Sequence, residues 1–246
     1  MTYQELVTRI EAAPKVDFGS ILSRSFDLFK TLWVEALKHG LLSLIIVLPF
    51  IVLVYAPILP FYVDLIQNEG NMQYVDPPFN YSGPWLVGYI VIVFVLSILL
   101  QVVTYAITAR FFNVCKLKEA EDSTAAGPYL ALLKTHGVKL FVLSLAMIGI
   151  ALLAALLCYL PIFYVMVPMQ LIIPLFAFNT ELSVSEIIKL AFKLGNKYWL
   201  ILFGLIIVAS LLSQLGILLC GVGLFVTAYF VYLPIYYFYK DTIGFE

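Results

Sequence analysis

Charge is scarce in this 246-residue chain. Only 12% of residues are Asp, Glu, Lys or Arg, against about a quarter in ordinary soluble domains. The scarcity is also uneven. No Lys or Arg lies between Lys38 and Arg110, where Asp64, Glu69 and Asp76 are the only acids, and no charged residue lies between Lys139 and Glu181 or between Lys197 and Lys240. With two histidines and three cysteines, the chain has no Cys/His cluster of the kind a structural metal needs. No ionisable residue sits mid-span, where pumps and proton-coupled carriers keep theirs. GxSxG, HExxH, a phosphate-binding glycine loop and a carboxylate pair at membrane depth are all missing, so neither an enzyme nor a cofactor is expected. Nucleic acid is not an expected partner.

What the chain does have is long apolar sequence, with 63% hydrophobic residues and a mean hydropathy of +1.03. Uncharged runs of about 20 residues match the roughly 30 Å of hydrocarbon that a helix must cross. They lack the period-2 alternation of a barrel strand. The expected fold is all-α and polytopic, with six spans near 38–62, 85–112, 138–158, 161–178, 198–217 and 219–240. All fourteen Lys and Arg fall in the N-terminal segment, at 110–139, at 189–197 and at Lys240. With six spans these segments share one side, so both termini are expected in the cytoplasm. Residues 1–37 lack a cleavable signal, and the first span is expected to serve as the insertion signal. Cys115 is expected to be reduced, and Cys158 and Cys220, at outer hairpin tips, to be small membrane-compatible residues.

The chain also repeats itself. Lys30, Lys134 and Lys193 each follow Ser20, Thr124 or Ser183 by ten residues and precede an apolar hairpin, and the hairpins exit through "TARFFN", "PLFAFN" and "PIYYFY". Lys134 to Phe178 spans 44 residues and Lys193 to Phe238 spans 45; Lys30 to Phe112 spans 82 because the first unit has longer spans and an outer loop, 63–84. The expected organisation is therefore an N-terminal amphipathic helix (1–17) followed by a membrane domain (18–246). Three parallel repeats, about 18–113, 124–179 and 183–240, each join an interfacial helix to a hairpin.

In the first interfacial helix Phe18, Ile21, Leu22, Phe26, Phe29 and Trp33 form the apolar side. In the third, Ile187, Leu190, Ala191 and Leu194 do so, with Glu186, Lys189, Lys193 and Lys197 opposite. Arg24, Lys30, Lys134, Lys189, Lys193 and Lys197 are accordingly expected to meet anionic headgroups or a protein partner. The leading helix places Thr2 and Glu5 at capping-box spacing and carries a stripe through Leu6 and Ile10. That stripe could pack on the cytoplasmic face or dock a partner. Neutral polar groups in the spans (Gln101, Thr104, Gln170, Ser210, Ser213, Gln214, Thr227) are expected to make interhelical hydrogen bonds. His39 and His136 are expected at the surface.

The segments "FGSILSRSFDLFKTLW" and "SVSEIIKLAFKLGNKYWLILFGLIIV" resemble the YciC-like family and the membrane domain found fused to some glycerophosphodiester phosphodiesterases, both bacterial six-helix groups. The resemblance implies a bacterial inner membrane. It implies no activity, because the phosphodiesterase catalytic domain has no counterpart here. The expected function is a non-catalytic accessory or scaffold subunit of a membrane complex. The alternative is a carrier or channel for a lipid or other apolar molecule.

Overall fold

The computed structural model describes residues 1–57, 59–68, 84–122, 126–157, 160–218 and 222–245. Most of the outer loop 63–84, with Glu69, Asp76 and Asn80, lies outside the described residues, as do Thr124, Cys158 and Cys220. Ten α-helices run through the described residues in the order α1 (Tyr3–Ala12), α2 (Phe18–Tyr55), α3 (Leu59–Gln67), α4 (Pro84–Glu119), α5 (Ala131–Leu156), α6 (Leu160–Phe178), α7 (Val184–Lys197), α8 (Trp199–Gln214), α9 (Val222–Thr227) and α10 (Tyr232–Thr242). Two 3-10 turns, Leu215–Leu218 and Ala228–Val231, join the last three. No strand occurs among the described residues.

Five of these helices are long and apolar enough to cross a membrane: α2, α4, α5, α6, and α8 with its 3-10 extension. The sixth expected span, 219–240, differs. It is broken into α9, a 3-10 turn and α10, of 6, 4 and 11 residues. Pro234 supplies a physical reason, because it has no N–H to give the carbonyl four residues back and its ring crowds that carbonyl. The break falls on the turn just before it. Pro168 and Pro174, by contrast, lie within the unbroken α6.

The chain divides into two compact units. The smaller, Leu42–Gln101, holds the later part of α2, α3 and the first part of α4. Within it Tyr89 donates to the carbonyl oxygen of Val54 at 2.8 Å. Ile45, Val87 and Ile90 are each more than half exposed, as helix faces turned to lipid are.

The larger unit, Met1–Leu41 with Val102–Glu246, holds the core. α6 packs on α5 and α7, and α10 packs on α6 and α8. Gly195 makes the α6–α7 approach possible, since a Cβ there would lie 2.9 Å from the Cα and Cβ of Pro168. The three hairpin exits converge. Phe112 and Phe178 have ring centroids 6.3 Å apart, Phe178 and Tyr239 lie 5.0 Å apart, and Phe238 is fully buried against Tyr198 at 5.5 Å.

The interfacial segments are of two kinds. Tyr198 separates α7 from α8 at φ −123°, ψ 25°. His136 breaks α5 at nearly the same angles, φ −127°, ψ 24°. The backbone thus bends within α5 and between α7 and α8. α2 has no such bend: it is one helix of 38 residues, about 57 Å at 1.5 Å per residue. Its start is also set differently. Asp17 accepts from the backbone N–H of Ser20 at 2.6 Å, so Ser20 lies inside the first turn, whereas Ser183 caps α7.

Candidate functional site

The N-terminal helix is the first of the expected sites whose placement changes its reading. Thr2 and Glu5 form the expected capping box. The Leu6–Ile10 stripe does not face outward: Leu6 is 0% and Ile10 1% exposed, and α1 packs on α7. Sequence periodicity shows that a stripe will be buried but not by what; here the partner is the chain itself. Lys197 closes the seat by donating to the carbonyl oxygens of Ile10, Glu11 and Ala13 at 2.8, 2.9 and 3.1 Å. Lys193 pairs with Glu11. The Glu11 carboxyl is held below its usual range, first by the hydrogen bond from Lys193 and then by that ammonium's charge. Arg9 donates to the carbonyl oxygen of Ile243 at 2.8 Å.

Arg24 is likewise turned inward. Its guanidinium forms a two-pronged pair with Asp241 and lies 4.6 Å from the Tyr237 ring centroid. Beside it Glu119 takes Lys240 at 2.8 Å and the Tyr236 hydroxyl at 2.7 Å. Arg24, Lys193, Lys197, Leu6 and Ile10 thus all make contacts within the chain. Lys30 is exposed and pairs only with neighbouring Asp27 at 2.8 Å. Lys134 and Lys189 are exposed and form no salt bridge among the described residues.

His39 also departs from expectation, being fully buried. Its Nδ1 lies 2.7 Å from the carbonyl oxygen of Glu35, and a carbonyl can only accept, so Nδ1 carries the hydrogen. Its Nε2 lies 3.0 Å from an Arg110 nitrogen, and Arg110 can only donate, so Nε2 is the acceptor. Phe111, Tyr129 and Tyr229 surround the ring. Both contacts need one tautomer and no free position, so the histidine is a structural strut. His136 sits at the α5 bend, 6.1 Å from Phe176. Cys115 is buried and free.

The feature that sequence reasoning did not assemble is a cleft of about 440 Å³ among α4, α5 and α6, within the usual 300–1,000 Å³ or so of small-molecule sites. Thr104, Tyr105 and Thr108 line it from α4, and Met147 and Ala151 from α5. Met166, Met169 and Gln170 come from α6, and Tyr232 closes one end. Three of the chain's five methionines thus share one cavity, where a flexible, polarisable side chain adapts to varied apolar shapes. Thr104 and Gln170 lie eight residues before Phe112 and Phe178, about 12 Å along their helices. That depth is within hydrocarbon. No ionisable acid or base other than tyrosine lines the cleft.

Not all the neutral polar groups face it. Thr227 donates to the carbonyl oxygens of Ser213 and Gly223, at 2.5 and 3.1 Å, and Ser213 to that of Ala209 at 2.8 Å. Of these, the Thr227–Ser213 bond joins the two arms of the last hairpin, as expected, and the other two return to the carbonyl four residues earlier in the same helix. Gln170, which lines the cleft, has a half-buried amide that no hydrogen-bond partner engages among the described residues. Ser210 and Gln214, outside the cleft lining, share that lack.

These features define an all-helical, multi-pass membrane protein with one apolar, neutral cleft inside its larger unit. No family model, curated protein or solved structure matches the chain.

Proposed function

We propose that this protein holds an apolar or amphiphilic small molecule within the membrane, as a carrier or binding protein without catalytic activity. The cleft among α4, α5 and α6 carries this reading, because it combines adaptable methionine walls with a few neutral polar groups at hydrocarbon depth. The accessory-subunit reading loses one of its supports, since the N-terminal stripe that could dock a partner packs on α7. It keeps one observation: Phe26, Trp33 and Val34 on the early part of α2 are 40–48% exposed.

The proposed setting is a bacterial cytoplasmic membrane, with six crossings and both termini cytoplasmic. The Arg9–Ile243 hydrogen bond supports an even number of crossings, because it ties the two ends of the chain to each other. Five long helices alone give an odd number, so the broken α9–α10 segment is the proposed sixth. The bacterial setting rests on the resemblance to the YciC-like group. The cytoplasmic side rests on the positions of the basic residues, with Lys134 and Lys189 toward anionic headgroups.

Purification in mild detergent followed by native mass spectrometry tests the reading. An apolar molecule retained by the wild-type protein and lost from Ala151→Trp, which fills the cleft, is the expected result. Equal retention by both overturns it, and a stoichiometric protein partner with an empty cleft restores the accessory reading.

A further inference from the structure

The chemistry of the cleft wall narrows its occupant further. A phosphate-bearing lipid brings an anion that needs a cation in a water-poor site. The cleft has none: Lys and Arg are absent from its lining, as are Asp and Glu. A pure hydrocarbon needs no polar wall, yet the wall carries hydroxyls from Thr104, Tyr105, Thr108 and Tyr232 and one primary amide. Thr108 and Tyr232 line the cleft together, and Thr104 and Tyr105 have partners. The Gln170 amide has none among the described residues. Hydrocarbon cannot satisfy an amide, and an unpaired amide in an apolar site is costly. A Gln side chain offers an acceptor oxygen and two N–H donors on one plane.

Resting on the cleft-binding reading, we infer that the occupant is an uncharged lipid whose head carries a hydroxyl beside an ester or carbonyl oxygen, with Gln170 bonding both. Diacylglycerol has this chemistry, with two flexible tails for the methionine wall. The amide N–H donates to the ester carbonyl, and the amide oxygen accepts from the hydroxyl. The tails leave between the half-exposed Met166 and Ile162 side chains.

The test uses the full-length protein in phosphatidylcholine nanodiscs that contain a minor fraction of either photoreactive diacylglycerol or photoreactive phosphatidylglycerol. The label is mapped by peptide mass spectrometry. Diacylglycerol is expected to label the peptide containing Met166–Gln170 more than phosphatidylglycerol does, and Ala151→Trp is expected to abolish this label. Gln170→Leu is expected to reduce it about thirtyfold, the value of two neutral hydrogen bonds at about 1 kcal/mol each. Labelling by phosphatidylglycerol as strong as by diacylglycerol overturns the uncharged head while leaving the cleft reading intact. Undiminished diacylglycerol labelling of Gln170→Leu overturns the role given to the amide. No label above the Ala151→Trp background with either probe overturns the cleft reading itself. Size-exclusion profiles identical to wild type identify variants that remain folded.

Discussion

The ammonium of Lys197 lies 2.8 Å from the carbonyl oxygen of Ile10, across a sequence separation of 187 residues. With two further carbonyls on the same nitrogen, it does for the end of α1 what a C-cap does locally. Lys197→Met removes all three bonds and keeps the aliphatic stem. Hydrogen bonds to charged groups contribute about 1.5–3 kcal/mol when well buried, and partial exposure here reduces that to about 1–2 kcal/mol. Amides of α1 should then exchange about five- to thirtyfold faster by hydrogen-exchange mass spectrometry, with α6 unchanged. Equal rates in α1 would mean that the three bonds hold nothing.

The capping carboxylates predict a pH response. Glu5 is held below its ordinary value of 4.5 first by the backbone N–H of Thr2 and then by its hydroxyl. Glu186 is held below it by the corresponding groups of Ser183, hydroxyl first. A folded-state pKa below the unfolded one gives stabilisation that is present above the unfolded value and fades as pH falls through the folded value. The first turns of α1 and α7 should therefore be protected from exchange near neutral pH and loosen below about pH 4.5, after correction for intrinsic rates. Glu5→Gln should flatten that response in α1 and leave α7 unaffected.

Glycines separate packing from propensity. Gly195→Ala places a Cβ against Pro168 at 2.9 Å from two of its atoms, so α7 must shift on α6 at a cost of about 1–3 kcal/mol. Gly149→Ala meets nothing within 4 Å and gains helix propensity of up to about 1 kcal/mol. Thermal unfolding in detergent should fall for the first and hold or rise for the second. A drop of similar size in both would show that the close approach of α6 and α7 is not specific.

His39 and Arg110 should behave as a unit. His39→Leu leaves an Arg110 N–H without its acceptor and the Glu35 carbonyl without its side-chain donor, at a cost of about 1–3 kcal/mol. Arg110→Met in the same background should add less than it does alone, the mark of coupled residues in a double-mutant cycle. Additive losses would argue against the pair.

Single cysteines placed in a cysteine-free background test the side of each segment. Lys15→Cys and Asp122→Cys should react with a membrane-impermeant maleimide from one side of sealed vesicles, and Met72→Cys from the other. Reaction of all three from one side would dismantle the six-crossing proposal.

Several elements of this architecture were legible in the sequence because they depend on near neighbours. The apolar runs gave the five long helices, the Thr2–Glu5 spacing its capping box, and the α7 periodicity its buried face. What escaped depends on residues far apart. A lysine on an amphipathic helix has the same pattern whether it reaches for phosphate or, like Lys197, for a carbonyl at the end of α1. His39 stands beside a glycine near a span boundary, and its burial needs Arg110, 71 residues on. A proline marks a kink in the sequence, but whether the helix breaks, as before Pro234, or runs on, as through Pro168 and Pro174, depends on the surrounding packing. The cleft was hidden for another reason: Met147, Met166 and Gln170 each look like ordinary span residues until three helices bring them together.

The seat of α1 also imposes an order on biosynthesis. The carbonyl that Arg9 bonds, on Ile243, is made 234 residues after it. At about 5–20 residues per second, α1 waits about 10–50 s for that partner. Until α7 is made, ending 187 residues after Ile10, the Leu6–Ile10 stripe of α1 has no seat on this chain. Closure of α1 is then a late step of maturation, and a chain stopped before α7 shows this apolar stripe to the quality-control machinery.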